Sequence, residues 1–137
     1  LIRGEDMKSL WSESVSLKKY NALKGDISVN TVVIGGGIAG LLTAYKLKER
    51  GIDAAVIEAE RICNGQTKNT TAKITSQHSI IYSKILFGYG AKAAEEYARA
   101  NQQAISEYER IIQNKHIECG FERKNAVLYA LESKKIH

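Results

Sequence analysis

The sequence contains no proline and only two cysteines, Cys63 and Cys119, among its 137 residues. Two cysteines can form neither a disulfide framework nor the four-ligand set of a structural zinc site, so we interpret them as reduced thiols of a cytoplasmic protein without a metal. No apolar run approaches the roughly 20 residues that span a bilayer. The N-terminus also lacks the charged, apolar and small-residue pattern of a secretory signal. These absences predict an ordinary globular chain with no membrane span.

The net charge does not by itself identify a partner. It is +5, from 20 Lys and Arg against 15 Asp and Glu, and a basic balance raises the question of nucleic acids or membrane surfaces. The basic residues are dispersed, however, and none of their small groups is interleaved with stacking aromatic residues. We therefore predict a solvated surface that does not bind nucleic acid. A basic surface would also suit an anionic cofactor.

The clearest local pattern is a strand, a helix and a second strand within about 30 residues, the length of a βαβ unit. Residues 31–34 are a continuous β-branched run, typical of a strand buried on both faces. Residues 38–50 place apolar side chains at helical spacing, and Gly51 follows where a left-handed cap is expected. Residues 54–57 form the second short apolar strand. The pattern predicts two parallel strands joined by a helix, which is an α/β arrangement.

A glycine-rich turn joins the first strand to the helix, with the sequence Gly35-Gly36-Gly37-Ile38-Ala39-Gly40. In a GxGxxG motif the first glycine allows the tight turn and the second lets the backbone approach a pyrophosphate. The third lets the helix and the strand pack closely. The positive end of the helix dipole then faces the phosphates. We predict that these six residues bind the phosphates of a dinucleotide.

Glu58 ends the second strand, at the position where this motif places the acid that binds an adenosine ribose. A carboxylate there repels a ribose 2′-phosphate, which disfavours NADP. NAD and FAD both carry a free ribose and a pyrophosphate. The motif therefore leaves both cofactors open.

A polar, threonine-rich loop follows Glu58. It contains Gly65-Gln66-Thr67-Lys68-Asn69-Thr70-Thr71-Ala72 and then Thr75-Ser76-Gln77-His78. These motifs resemble the D-amino-acid oxidase (DAO)-like family of FAD-dependent oxidoreductases, closest to its glycine/D-amino acid oxidase branch, whose longer members often carry a C-terminal Rieske domain. The similarity begins at Ser9-Leu10-Trp11 and reaches residues 128–130, so it covers nearly the whole chain.

The resemblance implies that FAD is the cofactor and that the threonine-rich loop wraps its pyrophosphate. By position, Ala59 and Arg61 would lie near the adenosine end of FAD, and Lys73 would lie closer to the flavin ring. The hydroxyl donors that the resemblance implies are Thr67, Thr70 and Thr71. The alternative for each hydroxyl is a turn bond to the local backbone. His78 either faces the flavin or is a hydrogen-bonded structural histidine, and we favour the second role.

In the rest of the chain the spacing of the apolar residues indicates first helices and then a strand. A short helix is predicted over residues 80–87, closed by Gly88, and a long amphipathic helix over residues 91–114. After Gly120 the apolar residues alternate, which predicts a strand or hairpin half-buried on a sheet. The fold is thus predicted as an incomplete Rossmann-like βαβ FAD-binding unit, a long helix and the start of an antiparallel-sheet substrate domain. The predicted parts are an N-terminal arm (1–28), the βαβ unit with its flavin-wrapping loop (29–79) and the opening of the substrate domain (80–137).

The resemblance also implies a reaction: oxidation of the C–N bond of a small amine or amino acid by hydride transfer to flavin. DAO-like enzymes are several hundred residues long, and their FAD domain is completed by strands that return after the substrate domain. We therefore expect this chain to be the N-terminal part of such an enzyme, with the substrate-orienting residues beyond His137. We name no catalytic residue, and a Rieske centre, which needs two Cys and two His, cannot be built from these residues.

Two other functions stay open at this stage. One is a catalytically inactive nucleotide-binding or interaction module, and the other is an NAD-binding Rossmann domain. For the isolated chain we expect weak FAD binding, no oxidase activity and self-association through an open sheet edge and apolar surface.

Overall fold

The structure is a computed structural model that describes residues 9–129 and 131. The chain divides into two compact units, one ending at Ala72 and the other beginning at Lys73. The first unit contains the strands and the second is helical. The domain boundaries expected after residues 28 and 79 stay predictions, because a compact unit is not necessarily a whole domain.

The first unit is a βαβ unit preceded by one short helix. Its elements are α1 (Leu10–Ser14), β1 (Thr31–Ile34), α2 (Ile38–Glu49) and β2 (Ala54–Ile57). The two strands pair in parallel, with Thr31 opposite Ala54. Both strands have the bounds predicted from the sequence. The parallel βαβ arrangement that the sequence pattern predicts is therefore present.

The ends of α2 follow from its sequence. The helix begins directly after the glycine turn, and Lys46 and Lys48 occupy its last turn, where cations interact favourably with the helix dipole. Arg50 is the C-cap rather than the last helical residue as predicted. Gly51 has a φ of +70°, the left-handed conformation that a glycine adopts without a Cβ clash. The chain is thereby turned back toward β2.

The expectation that β1 is buried on both faces is wrong for the described residues. Val32 and Ile34 are 48% and 83% exposed, whereas Thr31 and Val33 are half-buried. Successive side chains of a strand point to opposite faces, so only one face of β1 is covered. Within the described part of the first unit, α2 is the helix that packs on the strands. The other face carries apolar side chains, and no described residue forms a second layer on it.

The second unit is a pair of helices, α3 (Ile81–Tyr89) and α4 (Ala91–Asn114), which pack against each other. The bounds of α4 are those predicted. The prediction that Gly88 closes α3 is wrong, because Gly88 is a helical residue and Gly90 ends the helix. Gly90 has a φ of +85°, and its N–H donates to the Leu86 carbonyl, so the positive φ marks the real end of the helix.

The strand predicted after Gly120 is not present in the part of the chain that the structure describes. Residues 120–129 form neither a helix nor a strand, and Val127 and Tyr129 are 80% and 82% exposed. A strand needs a neighbour that satisfies its backbone N–H and C=O groups, and the described residues of the second unit contain no such strand. The alternation of apolar residues after Gly120 was therefore not sufficient to form a strand. Ala130 and residues 132–137, where the prediction continues, lie outside the described residues, as do residues 1–8 of the N-terminal arm.

No helix among the described residues has the length and the apolar character needed to cross a membrane.

Candidate cofactor site

The glycine turn is attached to the carboxyl end of the sheet by backbone hydrogen bonds. Gly35 follows β1 with a φ of +101°, a conformation that favours glycine, and its N–H donates to the Ile57 carbonyl at 2.8 Å. The next carbonyl, that of Gly36, accepts from the Cys63 N–H at 2.8 Å. The turn is therefore bonded to β2 on one side and to the following loop on the other.

Gly40 is where α2 comes closest to the glycine turn. A Cβ built on Gly40 would lie 1.9 Å from the Gly35 carbonyl oxygen, which is far inside van der Waals contact. A Cβ on Gly36 would lie 2.9 Å from Cγ2 of Ile62 and 3.2 Å from Cβ of Glu58. Any side chain at Gly40 would thus push the helix off the turn. This is the packing role that the motif assigns to its third glycine.

Glu58 is held by backbone hydrogen bonds at the edge of the turn. Its Oε2 accepts from the Gly36 N–H at 2.7 Å, and its Oε1 accepts from the Glu60 N–H at 3.0 Å. Backbone hydrogen bonds from Glu60, Gly36 and Ala59 lower the pKa of the Glu58 carboxyl and outweigh desolvation, which would raise it. Each carboxylate oxygen can accept more than one hydrogen bond. Glu58 is therefore an oriented anion with acceptor capacity left for a ligand.

The threonine-rich loop reaches the N-terminus of α2 through Thr67. This residue lies in a short 3₁₀ turn, Gln66–Asn69, and its Oγ1 accepts from the Ile38 N–H at 3.0 Å. The N–H groups of a first helical turn have no partner within the helix. Thr67 satisfies one of them, and the others are available to an anion. The helix N-terminus and the loop thus form two walls of one site.

A cleft of about 330 Å³ lies between these groups, near the lower end of the ~300–1,000 Å³ range of small-molecule sites. It combines a helix N-terminus, an oriented carboxylate and a polar loop. Its lining residues are Gly37, Ile38, Ala39, Glu58, Glu60, Arg61, Cys63, Asn64, Gly65, Gln66 and Thr67. Six of these were predicted from the sequence: Gly37, Ile38, Ala39, Glu58, Arg61 and Thr67.

The other predicted residues of the first unit do not line the cleft. Gly35, Gly36 and Gly40 shape the turn behind it, and Ala59 is the neighbour of Glu58. The Thr70 hydroxyl donates to the Thr67 carbonyl at 3.3 Å and accepts from the Ala72 N–H at 3.4 Å, which is the local turn role weighed above. Thr71 is exposed. Lys73 belongs to the second unit, and its role stays a prediction.

Sequence reasoning missed the polar part of the cleft wall. Asn64 donates through Nδ2 to Oε2 of Glu60 at 3.3 Å, and its Oδ1 accepts from Nζ of Lys68 at 3.0 Å. The three residues stand four positions apart, the spacing of neighbours on a helical surface. The loop contains so many polar residues that this spacing did not distinguish these three from the others.

His78 lies in the second unit and has a local partner there. Its Nδ1 is 3.2 Å from the Tyr97 hydroxyl, and the two rings meet edge to face with centroids 6.3 Å apart. Tyr82 packs on the same Tyr97 ring and donates its hydroxyl proton to the Ser76 carbonyl at 2.6 Å. His78 is therefore hydrogen-bonded within the second unit, and its structural role stays a prediction.

Comparison with known proteins relates this geometry to a family. YhfW of Bacillus subtilis, which carries the name of a Rieske 2Fe-2S iron-sulfur protein, is 38% identical over 97% of this chain. Gamma-glutamylputrescine oxidoreductase of Escherichia coli is 26% identical over 85% of the chain. The tRNA 5-methylaminomethyl-2-thiouridine biosynthesis bifunctional protein MnmC of Psychrobacter cryohalolentis is 33% identical over 73% of it. No solved structure matches significantly.

These relatives are much longer than this chain. The matches cover 27% of YhfW, 27% of the Escherichia coli protein and 16% of MnmC, so the chain spans about a quarter or less of each. A family model described as "FAD dependent oxidoreductase" (DAO) matches residues 30–136, which include the glycine turn, Glu58 and the threonine-rich loop. The motif alone left FAD and NAD open, and the family answers that question in favour of FAD. The chain belongs to the FAD dependent oxidoreductase (DAO) family.

Proposed function

We propose that the cleft binds the adenosine ribose and the pyrophosphate of FAD, and that the chain supplies this part of the cofactor site of an oxidoreductase. One observation carries the proposal. Glu58, the N-terminus of α2 and Thr67 line a single cleft, although they come from three separate segments of the chain. An anion site beside an oriented carboxylate is what a nucleoside diphosphate requires.

The residues present fit the diphosphate. The first turn of α2 offers N–H groups and the positive end of the helix dipole. Gly37 has no side chain at this point, and a Cβ there would lie 3.3 Å from Oγ1 of Thr67, closing the gap between the helix and the loop. Arg61 lines the same cleft and carries a fixed positive charge, and we assign it to the adenosine end of FAD, as the resemblance implies.

The ribose is assigned to Glu58. Its carboxylate is already oriented by the Gly36 and Glu60 N–H groups, so little conformational entropy is lost when the ribose hydroxyls donate to it. The lowered pKa keeps the carboxylate charged near neutral pH. The same charge would repel a 2′-phosphate. We assign Ala59, like Arg61, to the adenosine end, and Thr70, Thr71 and Lys73 to the parts of FAD beyond this cleft.

We further propose that the whole protein oxidises a C–N bond of a small amine or amino acid. Bound FAD supplies the hydride acceptor for such an oxidation. The name of the Escherichia coli relative describes an oxidoreductase of gamma-glutamylputrescine, an amine, and this supports the substrate class. The role of the residues described above is to bind and orient the cofactor. We propose that the groups that orient the substrate come from other parts of the protein.

A second candidate is a module that binds the nucleotide but does not turn over a substrate. The exposed apolar face of β1 favours it for the isolated chain, because a single layer of helix on a two-stranded sheet is a marginal core. The isolated chain should be inactive under both candidates, so the two are distinguished in the whole protein. Loss of the flavin absorbance when an amine is added to the whole protein supports the oxidoreductase, and an unchanged absorbance supports the inactive module.

The binding proposal is tested by competition. FAD, ADP and riboflavin are titrated into the purified chain, and flavin fluorescence or calorimetry reports binding. ADP carries the ribose and the diphosphate, so we expect it to displace FAD, whereas riboflavin lacks both and should not. NADP should bind more weakly than NAD because of its 2′-phosphate. Equal competition by riboflavin, or no displacement by ADP, would contradict the assignment of the cleft.

A further inference from the structure

The N-terminal arm contacts the threonine-rich loop through two side chains. The Ser9 hydroxyl donates to the Lys68 carbonyl, and the Trp11 Nε1–H donates to the Thr70 carbonyl at 2.8 Å. Helix α1 packs against the 3₁₀ turn that contains Lys68. The family model begins at residue 30, whereas the match to YhfW covers 97% of the chain and therefore includes most of this arm. The glycine motif begins at Gly35 and does not account for these contacts.

The two bonded carbonyls belong to the same short stretch that carries Thr67. Lys68 follows Thr67 within the 3₁₀ turn, and Thr70 is the C-cap of that turn. A polar loop of this kind has few apolar contacts to hold it, and ordering its backbone costs about 1–2 kcal/mol per residue. Two long-range hydrogen bonds to consecutive parts of the turn restrict its backbone. They thereby restrict the Thr67 hydroxyl, which meets Ile38 at the N-terminus of α2.

The same contacts extend to the wall of the cleft. Lys68, whose carbonyl accepts from Ser9, donates through Nζ to Oδ1 of Asn64, and Asn64 donates to Glu60. Asn64, Glu60 and Thr67 all line the cleft, whereas Ser9 and Trp11 do not. The arm is thus connected to two places in the wall without touching the space that a ligand would fill.

We propose that Ser9 and Trp11 are positioning residues of the FAD site. They hold the 3₁₀ turn and Thr70 in the conformation that presents Thr67 and Asn64 to the cofactor. This inference rests on the proposed function, because it assigns the residues to the same cleft. It gives the N-terminal arm a role in cofactor affinity, although the arm contributes no group that contacts the cofactor.

The test uses Trp11→Phe, which keeps an aromatic ring but removes the indole N–H, and Ser9→Ala. Matched controls in the same arm are Tyr20→Phe and Ser12→Ala. Two quantities are measured on the whole chain: amide hydrogen exchange of peptides covering residues 66–72 without FAD, and the Kd for FAD. We expect each test variant to raise loop exchange and the Kd by about 3- to 10-fold, the scale of one hydrogen bond. The controls should change neither.

Exchange in residues 31–57 separates positioning from general destabilisation. A positioning role leaves exchange of β1, α2 and β2 at the wild-type level while the loop and the Kd change. If Trp11→Phe raises exchange across the whole first unit equally, or leaves both the loop and the Kd unchanged while wild type binds FAD, the inference is overturned and the proposed function is unaffected. Wild-type chain that binds neither FAD nor ADP would contradict both.

Discussion

The contacts of Glu58 and Thr67 in the first unit differ from those of the Tyr97 side chain in the second unit. Glu58 and Thr67, which line the cleft, bind backbone groups: Glu58 accepts from the Gly36 and Glu60 N–H groups, and Thr67 accepts from the Ile38 N–H. The Tyr97 side chain contacts other side chains, those of His78 and Tyr82. Backbone groups have a fixed position once the turn is formed, so a side chain that binds them cannot be replaced easily. Side chains that contact each other on a helix surface tolerate substitution better. The comparison therefore predicts that conservative substitutions are more damaging in the first unit.

The second unit also contains an exposed ion pair that contributes little to the stability of the fold. Arg123 donates through Nε and Nη2 to Oε2 of Glu109, at 2.9 and 2.6 Å, and this raises the pKa of the Arg123 guanidinium. Both groups reach solvent, so salt screens the pair, and exposed pairs of this kind stabilise a fold only slightly. This pair connects the segment after α4 to the helix without burying either group.

The largest expected effect comes from Gly40→Ala, which should abolish detectable FAD binding. The added Cβ would lie 1.9 Å from the Gly35 carbonyl oxygen, so α2 must move away from the turn that it helps to form. We expect a loss of stability of about 1–3 kcal/mol, the usual cost of overpacking. Chemical denaturation and FAD titration measure the two effects.

Gly88→Ala is the matched control in the second unit. No atom lies within 4 Å of a Cβ built there, and Gly88 is a helical residue of α3. Alanine in a helix is favoured over glycine by about 0.5–1 kcal/mol, so this variant should be slightly more stable and should bind FAD like wild type. If both glycine variants behave alike, the contrast between the two units fails.

Glu58→Gln should weaken FAD binding roughly tenfold or more, because it removes a charged acceptor of the ribose hydroxyls. The amide keeps the size of the side chain, so the shape of the cleft is preserved. Glu95→Gln on α4 makes the same change on an exposed helix face and should leave the Kd unchanged. NADP provides a second readout, since loss of the charge should reduce the preference for NAD over NADP. Unchanged affinity and an unchanged preference would show that Glu58 does not hold the ribose.

The pH dependence follows from the lowered pKa of Glu58. A carboxyl whose pKa is lower in the folded state stabilises the fold at pH values above its unfolded pKa. That contribution is lost as the pH falls through the folded pKa. The difference in stability between wild type and Glu58→Gln should therefore be constant near neutral pH and shrink only in acid, below the ordinary range of a glutamate. A difference that already declines between pH 6 and 8 would point to another group.

Thr67→Val should raise the Kd for FAD by about 3- to 10-fold, the scale of one hydrogen bond. Valine has nearly the same shape, but it leaves the Ile38 N–H without its acceptor. Thr43→Val is the control on α2, where the hydroxyl donates to the Ala39 carbonyl within the helix. Calorimetry on both variants decides whether the hydroxyl at the helix N-terminus matters to the cofactor or only to the loop.

The smallest effect on the cofactor is expected from Tyr97→Phe in the second unit. It removes the hydroxyl that bonds to His78 and keeps the ring that packs on Tyr82. We expect a loss of about 0.5–1.5 kcal/mol of stability at most and no change in FAD affinity. Tyr89→Phe, at an 81% exposed position, is the control. A large loss of FAD affinity in Tyr97→Phe would give His78 the cofactor-facing role that we did not favour.

Much of the fold could be predicted from the sequence, because its signals are local. The bounds of β1 and β2 follow from continuous apolar runs, and those of α4 follow from the helical period of its apolar residues. The left-handed end of α2 follows from Gly51. The wrong predictions, the end of α3 and the strand after Gly120, arose where one local sequence pattern was compatible with two structures. Two glycines could have closed α3, and only the backbone shows that Gly90, with its positive φ, does so. Alternation after Gly120 predicted a strand, but a strand also needs a partner.

The sequence by itself determined the chemistry of the site: the glycine turn at a helix N-terminus, the acid after the next strand, and a loop with hydroxyl groups. Those features lie within some forty residues, and their spacing follows from the geometry of a βαβ unit. Only the tertiary structure decided which loop residues line the cleft and that the N-terminal arm holds the loop. Ser9 and Lys68 are 59 positions apart, as are Trp11 and Thr70. No periodicity or spacing rule reaches so far, because such contacts exist only after the chain has folded back on itself.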